Sequence, residues 1–401
     1  MKDNVRKNAA KPSGKKSFKR PQGKSRSVLV ISITLVLAFF AVFILNTVGV
    51  ISPSALWVRA RAAVSGTSEN FPLPVSSSSV LVCEIIEDNI ILLTTENILI
   101  YSPNGKQLLN QPHVYAKPGI SLNHDRAVVF DRGGKGFYLI KGDEIIYEGT
   151  ADNTILAAEY GEDGNYALGT KGKGAESTLT VYDKKNTVSF CWNCAHENIV
   201  SIALSDNGKY AGVAVMGAEN GELFTTIQYF GFDYKETLNT QKIVGVAPFE
   251  LEFTSFNELT LLTDSGVYLI NRKSDAYETA LSYYSSEFNS CDVSSNGKYI
   301  VSLAKYGSEN VFEINVFAKS GKIKEVINVD FPVKRVFLSD KYIFVFGENK
   351  IMVYKLNGVH VSEIAYKGEA TGIHPTDDFI FVSSLDKISR CFSFGDDTIE
   401  L

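Results

Sequence analysis

The chain has 401 residues, room for two or three domains or for one large repeat domain. Apolar residues make up 45% and charged residues 21%, so most of the chain can bury a core, and disorder is excluded for its bulk. A net charge of −5 gives no support to a nucleic-acid binder, and five cysteines are too few for a disulfide scaffold.

The charge is unevenly spread. Residues 1–26 hold ten Lys and Arg against one acid, Asp3, a net of +9, and the rest of the chain sums to −14. Residues 27–51 then contain no charge, and nineteen of these 25 are apolar. As a helix this run spans ~37 Å at ~1.5 Å per residue, enough to cross a ~30 Å hydrocarbon core with tilt. It exceeds the ~7–15 apolar residues of a cleaved signal peptide, so an uncleaved transmembrane signal anchor is expected. The basic flank sets the N-terminus in the cytoplasm and residues 52–401 outside, with single-pass attachment to the cell membrane. The basic tail then rests against anionic lipid head groups, and no nucleic acid is expected as a partner. Trp57 fits the membrane interface or the packing of the linker. Residues 52–79, with Pro53, Pro72, Pro74 and the run Ser76 to Ser79, read as a linker.

Residues 80–401 repeat short alternating runs broken by turn residues. The clearest pair is LSDNGKYAGVAV (204–215) and VSSNGKYIVSLA (293–304), with a weaker copy at 160–170. Equivalent positions fall at Ile90, Ala127, Tyr166, Tyr210, Leu259, Tyr299, Tyr342 and Phe379, giving eight units of about 40 residues. That period with four short strands per unit predicts an all-β fold, a β-propeller of about eight four-stranded blades, with seven as the alternative. In the best unit, Ile199 to Leu204 forms the first strand and Tyr210 to Val215 the second, joined at Asn207-Gly208, a dipeptide that suits a type I′ hairpin. Leu223 to Phe232 and Thr237 to Val244 complete it.

The S-D/S-N-G-K-Y turns resemble those of WD-like, YVTN and TolB-type propellers. The whole layout resembles uncharacterised single-pass membrane-anchored propeller proteins of Gram-positive bacteria: basic tail, one anchor, a Phe71 to Val75 linker motif, an exported propeller. The resemblance implies architecture and carries no function. The Trp-Asp ending of true WD repeats is absent, since Trp57 and Trp192 are the only tryptophans.

Candidate chemistry is sparse. Cys191 and Cys194, in C-W-N-C-A-H, offer a possible local disulfide, three zinc ligands with His196, or two ordinary thiols. Cys83, Cys291 and Cys391 sit among apolar strand residues and read as buried thiols. His113, His124, His360 and His374 are scattered and read as loop or core residues. The Gly-Lys stretches 133–136 and 171–174 lack a following helix and read as hairpin turns rather than phosphate loops. The pairs Asp377-Asp378 and Asp396-Asp397 read as solvated turns. No catalytic residue, cofactor or metal is assigned.

The sequence therefore favours a membrane-anchored, extracytoplasmic binding or scaffolding module whose partner is another envelope protein or a peptide. The alternative is a hydrolase or lactonase-like propeller enzyme with its site in the central channel. Such an enzyme would place several acids, His or Asn at equivalent strand starts, and no such series is evident in the sequence.

Overall fold

The computed structural model describes residues 70–75, 80–255, 257–294, 297–377, 379–392 and 399–400. The basic tail, the anchor segment, Trp57, Asn296, Asp378, Asp396 and Asp397 lie outside them, as does most of the linker.

The described residues form eight four-stranded antiparallel blades of a β-propeller. In chain order the first seven blades span 80–112, 118–150, 155–194, 198–244, 248–282, 286–329 and 333–367. Each runs outward from its first strand in simple meander order. All eight repeat positions, from Ile90 to Phe379, fall at the first or second residue of a blade's second strand. These second strands are sandwiched between neighbouring blades, so both of their faces are covered. Tyr342–Gly347 is buried throughout, and Asn89–Thr94 at every position after the first. That explains their near-continuous apolar sequence, each fully covered Ile, Leu or Val contributing ~1.5–3 kcal/mol. Outermost strands such as Glu144–Thr150 keep a strict alternation, because one of their faces meets water.

The eighth blade takes three strands from residues 372–392 and its outermost strand from Leu73–Pro74. Leu73 pairs opposite Ile388, and the Val75 amide donates to the Asp386 carbonyl at 2.9 Å. Leu73 is only 4% exposed, within a cluster that includes Ile90, Leu92 and Phe381. The Phe71 ring stacks on Phe381 with centroids 5.7 Å apart. Residues 70–75, read from the sequence as linker, thus close the ring. A two-residue strand holding Pro74 and following Pro72 shows no alternation, so it carries no strand signature. Ile399–Glu400 adds a short parallel strand beside His360–Lys367.

The Asn207-Gly208 turn differs from the type I′ hairpin. Only Gly208 is left-handed, with φ +65°, and its amide donates to the Ser205 carbonyl at 2.8 Å. The Tyr210 amide donates to Ser205 Oγ at 3.0 Å. The result is a longer turn closed by a left-handed glycine. Gly164 and Gly297 repeat it, with φ of +89° and +72° and amide bonds to the carbonyls of Gly161 and Ser294. The Ser205 hydroxyl caps this loop and offers the backbone an alternative to the tight two-residue turn.

Candidate functional site: an acidic central channel

The first strand of each blade is innermost, and all the turns from first to second strands open on one face. On that face the channel widens to a cavity of about 650 Å³. Its lining holds eleven carboxylates against two cationic side chains, Lys319 and Arg335.

The carboxylates fall into a rim and a bore. Several rim residues have a counter-ion. Asp125 lies 3.5 Å from Arg126 and 3.9 Å from Lys141, Asp206 lies 4.0 Å from Lys319, and Asp377 lies 2.9 Å from Lys341. Two rim residues, Glu87 and His124, hold left-handed backbones with φ of 55° and 58°. The Glu87 amide donates to the His124 carbonyl at 3.2 Å, which ties the first two blades together at the mouth. Non-glycine residues pay steric strain in this region, and such strain concentrates at functional sites.

The bore carries Glu84, Glu159, Glu252, Asp292, Arg335 and His374, from the innermost strands of blades one, three, five, six, seven and eight. Glu250 lies two residues before Glu252, on the same side of its strand. Glu84, Glu159, Glu250, Glu252, Asp292 and His374 are half-buried, and Arg335 is exposed. Burial raises the Glu84 carboxyl above its ordinary range, against the opposing charge of Arg335. Burial also pushes Glu250 to about 7, and burial with the Glu250 and Asp206 charges pushes Glu252 to about 8. Asp292 reaches about 7, chiefly through burial, although the Leu338 amide donates to its Oδ2 at 2.7 Å. Glu159 is raised well above the carboxylate range by burial and by Glu252, although Ser121 Oγ donates to its Oε2 at 2.6 Å. His374 is held neutral, near 4, by burial and by Arg335. The Arg335 guanidinium lies 5.0 Å over the Phe337 ring. Among the described residues, no group of three or more His, Cys, Asp or Glu side chains is gathered closely enough to hold a metal ion.

The structure does not bring Cys191 and Cys194 together. Both lie on the outermost strand Val188–Cys194, Cys191 exposed and Cys194 buried, and both are free thiols. Three residues along a strand reverse the face and separate Cα atoms by ~10 Å, beyond the ~7 Å reach of a disulfide. A bridge there requires this strand end to unpair. Cys194 Sγ donates to Glu197 Oε2 at 3.1 Å, and the Trp192 ring packs 4.9 Å from Phe230. Cys83 and Cys391 are buried, and Cys291 is half-buried. His113 is a core residue, its Nε2 3.0 Å from the Thr94 carbonyl. His124 and His374 belong to the channel rather than to plain loop or core, and Asp377 lies on its rim.

The acids, His or Asn sought at strand starts are not there, but ionisable residues recur farther along the first strands of four blades. Seven residues before the repeat position, blades three to seven carry Glu159, Ala203, Glu252, Asp292 and Arg335. The signal is one or two charged residues inside a short strand. It is easily read as the polar member of an ordinary alternation.

Residues 70–389 match a family of unknown function, DUF5711, and the chain belongs to that family. No curated protein matches it. Among solved structures, a eukaryotic initiation factor aligns at 12% identity with a TM-score of 0.57, covering 82% of this chain and 89% of that one. BamB from Moraxella catarrhalis aligns at 11% identity and 0.49, covering 82% and 99%. AztD from Citrobacter koseri aligns at 12% and 0.49, covering 73% and 87%. At such identities the likeness is one of fold.

Proposed function

We propose that the chain is a binding module of the cell envelope. In this reading residues 27–51 anchor it in the membrane with the N-terminus inside, and the propeller lies outside. It docks an envelope protein or peptide at the acidic mouth of its channel. The observation that carries the reading is the mouth itself, an open cavity of about 650 Å³ where hairpin turns of many blades converge. Its lining carries a net excess of carboxylates, which steers a basic partner toward it. Docking needs only such a surface, without a nucleophile or a bound metal.

One observation favours the enzyme alternative. Carboxyls held near neutrality, as Glu250 and Glu252 are, suit general acid–base work. Stereospecific turnover of a small ester or lactone that is lost in Glu252→Gln supports that alternative.

In-cell cross-linking of the tagged full-length chain, followed by mass spectrometry, tests the docking reading. The control keeps residues 1–79 and lacks 80–401. A reproducible partner captured by the full chain and lost in the control is the expected result. Equal capture by both, or none by the full chain, contradicts it.

A further inference from the structure

Turns between second and third strands open on the face opposite the mouth. There the glycine-lysine turns of blades two and three, at 132–135 and 172–176, lie side by side. The Gly133 amide donates to the Ile155 carbonyl at 2.9 Å, and Lys135 Nζ donates to the Asp152 carbonyl at 2.6 Å. The Lys171 amide donates to the Thr154 carbonyl at 2.8 Å. Residues 152–155 thus hold both turns, which puts them within ~10 Å of each other. On the other side the Arg132 amide donates to the Lys117 carbonyl at 2.9 Å.

Lys117, Arg132, Lys135, Lys171 and Lys173 are all exposed. Lys171 is neutralised by Glu176 at 2.7 Å, and among the described residues the other four make no ion pair. Asp131 and Asp152 are the remaining acids of these loops, so the patch is net positive. Cations ~10 Å apart lie within a Debye length and act on a ligand together. Gly133 and Gly174 are left-handed, with φ of +93° and +84°, and the space beside each α-carbon is open to 4 Å. The amides of Lys173, Gly174 and Ala175 have no protein acceptor among the described residues. Free amides beside a left-handed glycine suit an anion. A phosphate, with oxygens on several sides, takes an ammonium and an amide at once. Glu222 and Asp264, exposed on the same face of blades four and five, confine such a ligand to blades two and three.

We propose that these two turns, with Lys117, bind a linear phosphate-bearing polyanion that runs across blades two and three. The site is separate from the channel and independent of what docks at the mouth. Repeated phosphates engage all four unpaired cations at once, so binding is multivalent and falls steeply with salt. The described chain enters the propeller on the mouth side, where the Asn70 amide donates to the Asn104 carbonyl at 3.3 Å. The basic turns lie on the far face from that entry. A free polymer reaches that face, and lipid head groups are the lesser fit.

Lysine acylation of the full-length chain in detergent, read by mass spectrometry, tests this residue by residue and so separates these turns from the basic residues 1–26. The probes are polyphosphate, inorganic phosphate, poly-glutamate and phosphatidylglycerol in mixed micelles. Polyphosphate should slow acylation of Lys117, Lys135 and Lys173 ~5–10-fold and leave Lys184, Lys185 and Lys235, exposed on the mouth side, within ~2-fold. Salt at ~0.5 M should abolish the protection, and R132Q/K173Q should reduce it at Lys135 ~5-fold. Both substitutions are on the surface, so thermal unfolding recorded alongside should not move. No protection at the three lysines, equal protection of both sets, or full protection of Lys135 in the variant overturns the proposal. Protection by inorganic phosphate equal to that by polyphosphate overturns the polymer. Equal protection by poly-glutamate overturns the phosphate class, and protection by the micelles alone overturns the free-polymer source.

Discussion

A carboxyl group in a narrow protein bore keeps its proton more readily than one in water, and the fold then depends on pH through that proton. For Glu250, Glu252 and Asp292 the folded state holds the proton up to about 7 or 8, above the unfolded value. Their contribution to stability is full below pH ~4 and is lost as pH rises through those values. His374 runs the other way. Its folded value lies near 4, so its penalty appears as pH falls below ~6.5. Glu252→Gln should therefore raise stability in urea unfolding by ~1–3 kcal/mol at pH ~8 and change it little at pH ~5, the range being discounted for channel water. Equal effects at both pH values would contradict the assigned protonation. The cysteines give a second prediction at this scale. Cys191 is exposed and Cys194 is buried with its thiol raised by burial, so alkylation of the folded chain should mark Cys191 and reach Cys194 only on unfolding. Equal rates would contradict the strand's placement. The spacing of these cysteines was legible in the sequence; the parity of the strand that separates their side chains was not.

At the scale of elements, the turns and the ring closure carry specific costs. A Cβ at Gly208 meets Asp163 Oδ2 at 2.9 Å on a backbone with φ +65°. Gly208→Ala should lose ~1–2 kcal/mol in denaturant unfolding, from left-handed strain more than from crowding. Leu73→Asp places a charge in the cluster of Ile90, Leu92 and Phe381 and loosens the strand that joins the two ends of the ring. A loss above ~3 kcal/mol is expected, with hydrogen exchange rising first in Lys387–Phe392. Unchanged protection there would mean that the N-terminal strand does not hold the blade. The second strands were legible because both faces are covered and their apolar runs recur every 40 residues or so. The closing strand was not, since two residues and two prolines leave no periodicity to read.

For the whole molecule, sequence periodicity reported what every blade does, and hid what the blades do jointly. Glu159, Glu252, Asp292 and Arg335 each look like a polar member of an ordinary strand alternation, and only the circular arrangement brings them to one cavity. Repeat architecture was therefore readable from local pattern, while the channel's chemistry depended on closing the ring. The opposite face offers a contrast, with Tyr306 83% exposed on a turn between second and third strands. The central claim is that partners dock at the acidic mouth. It is tested most directly by placing a photo-reactive phenylalanine analogue at Glu162, on the mouth, and separately at Tyr306, then irradiating cells that express the full-length chain. The account predicts one partner cross-linked from position 162 and absent from position 306. The same partner captured from 306 and not from 162 would contradict it.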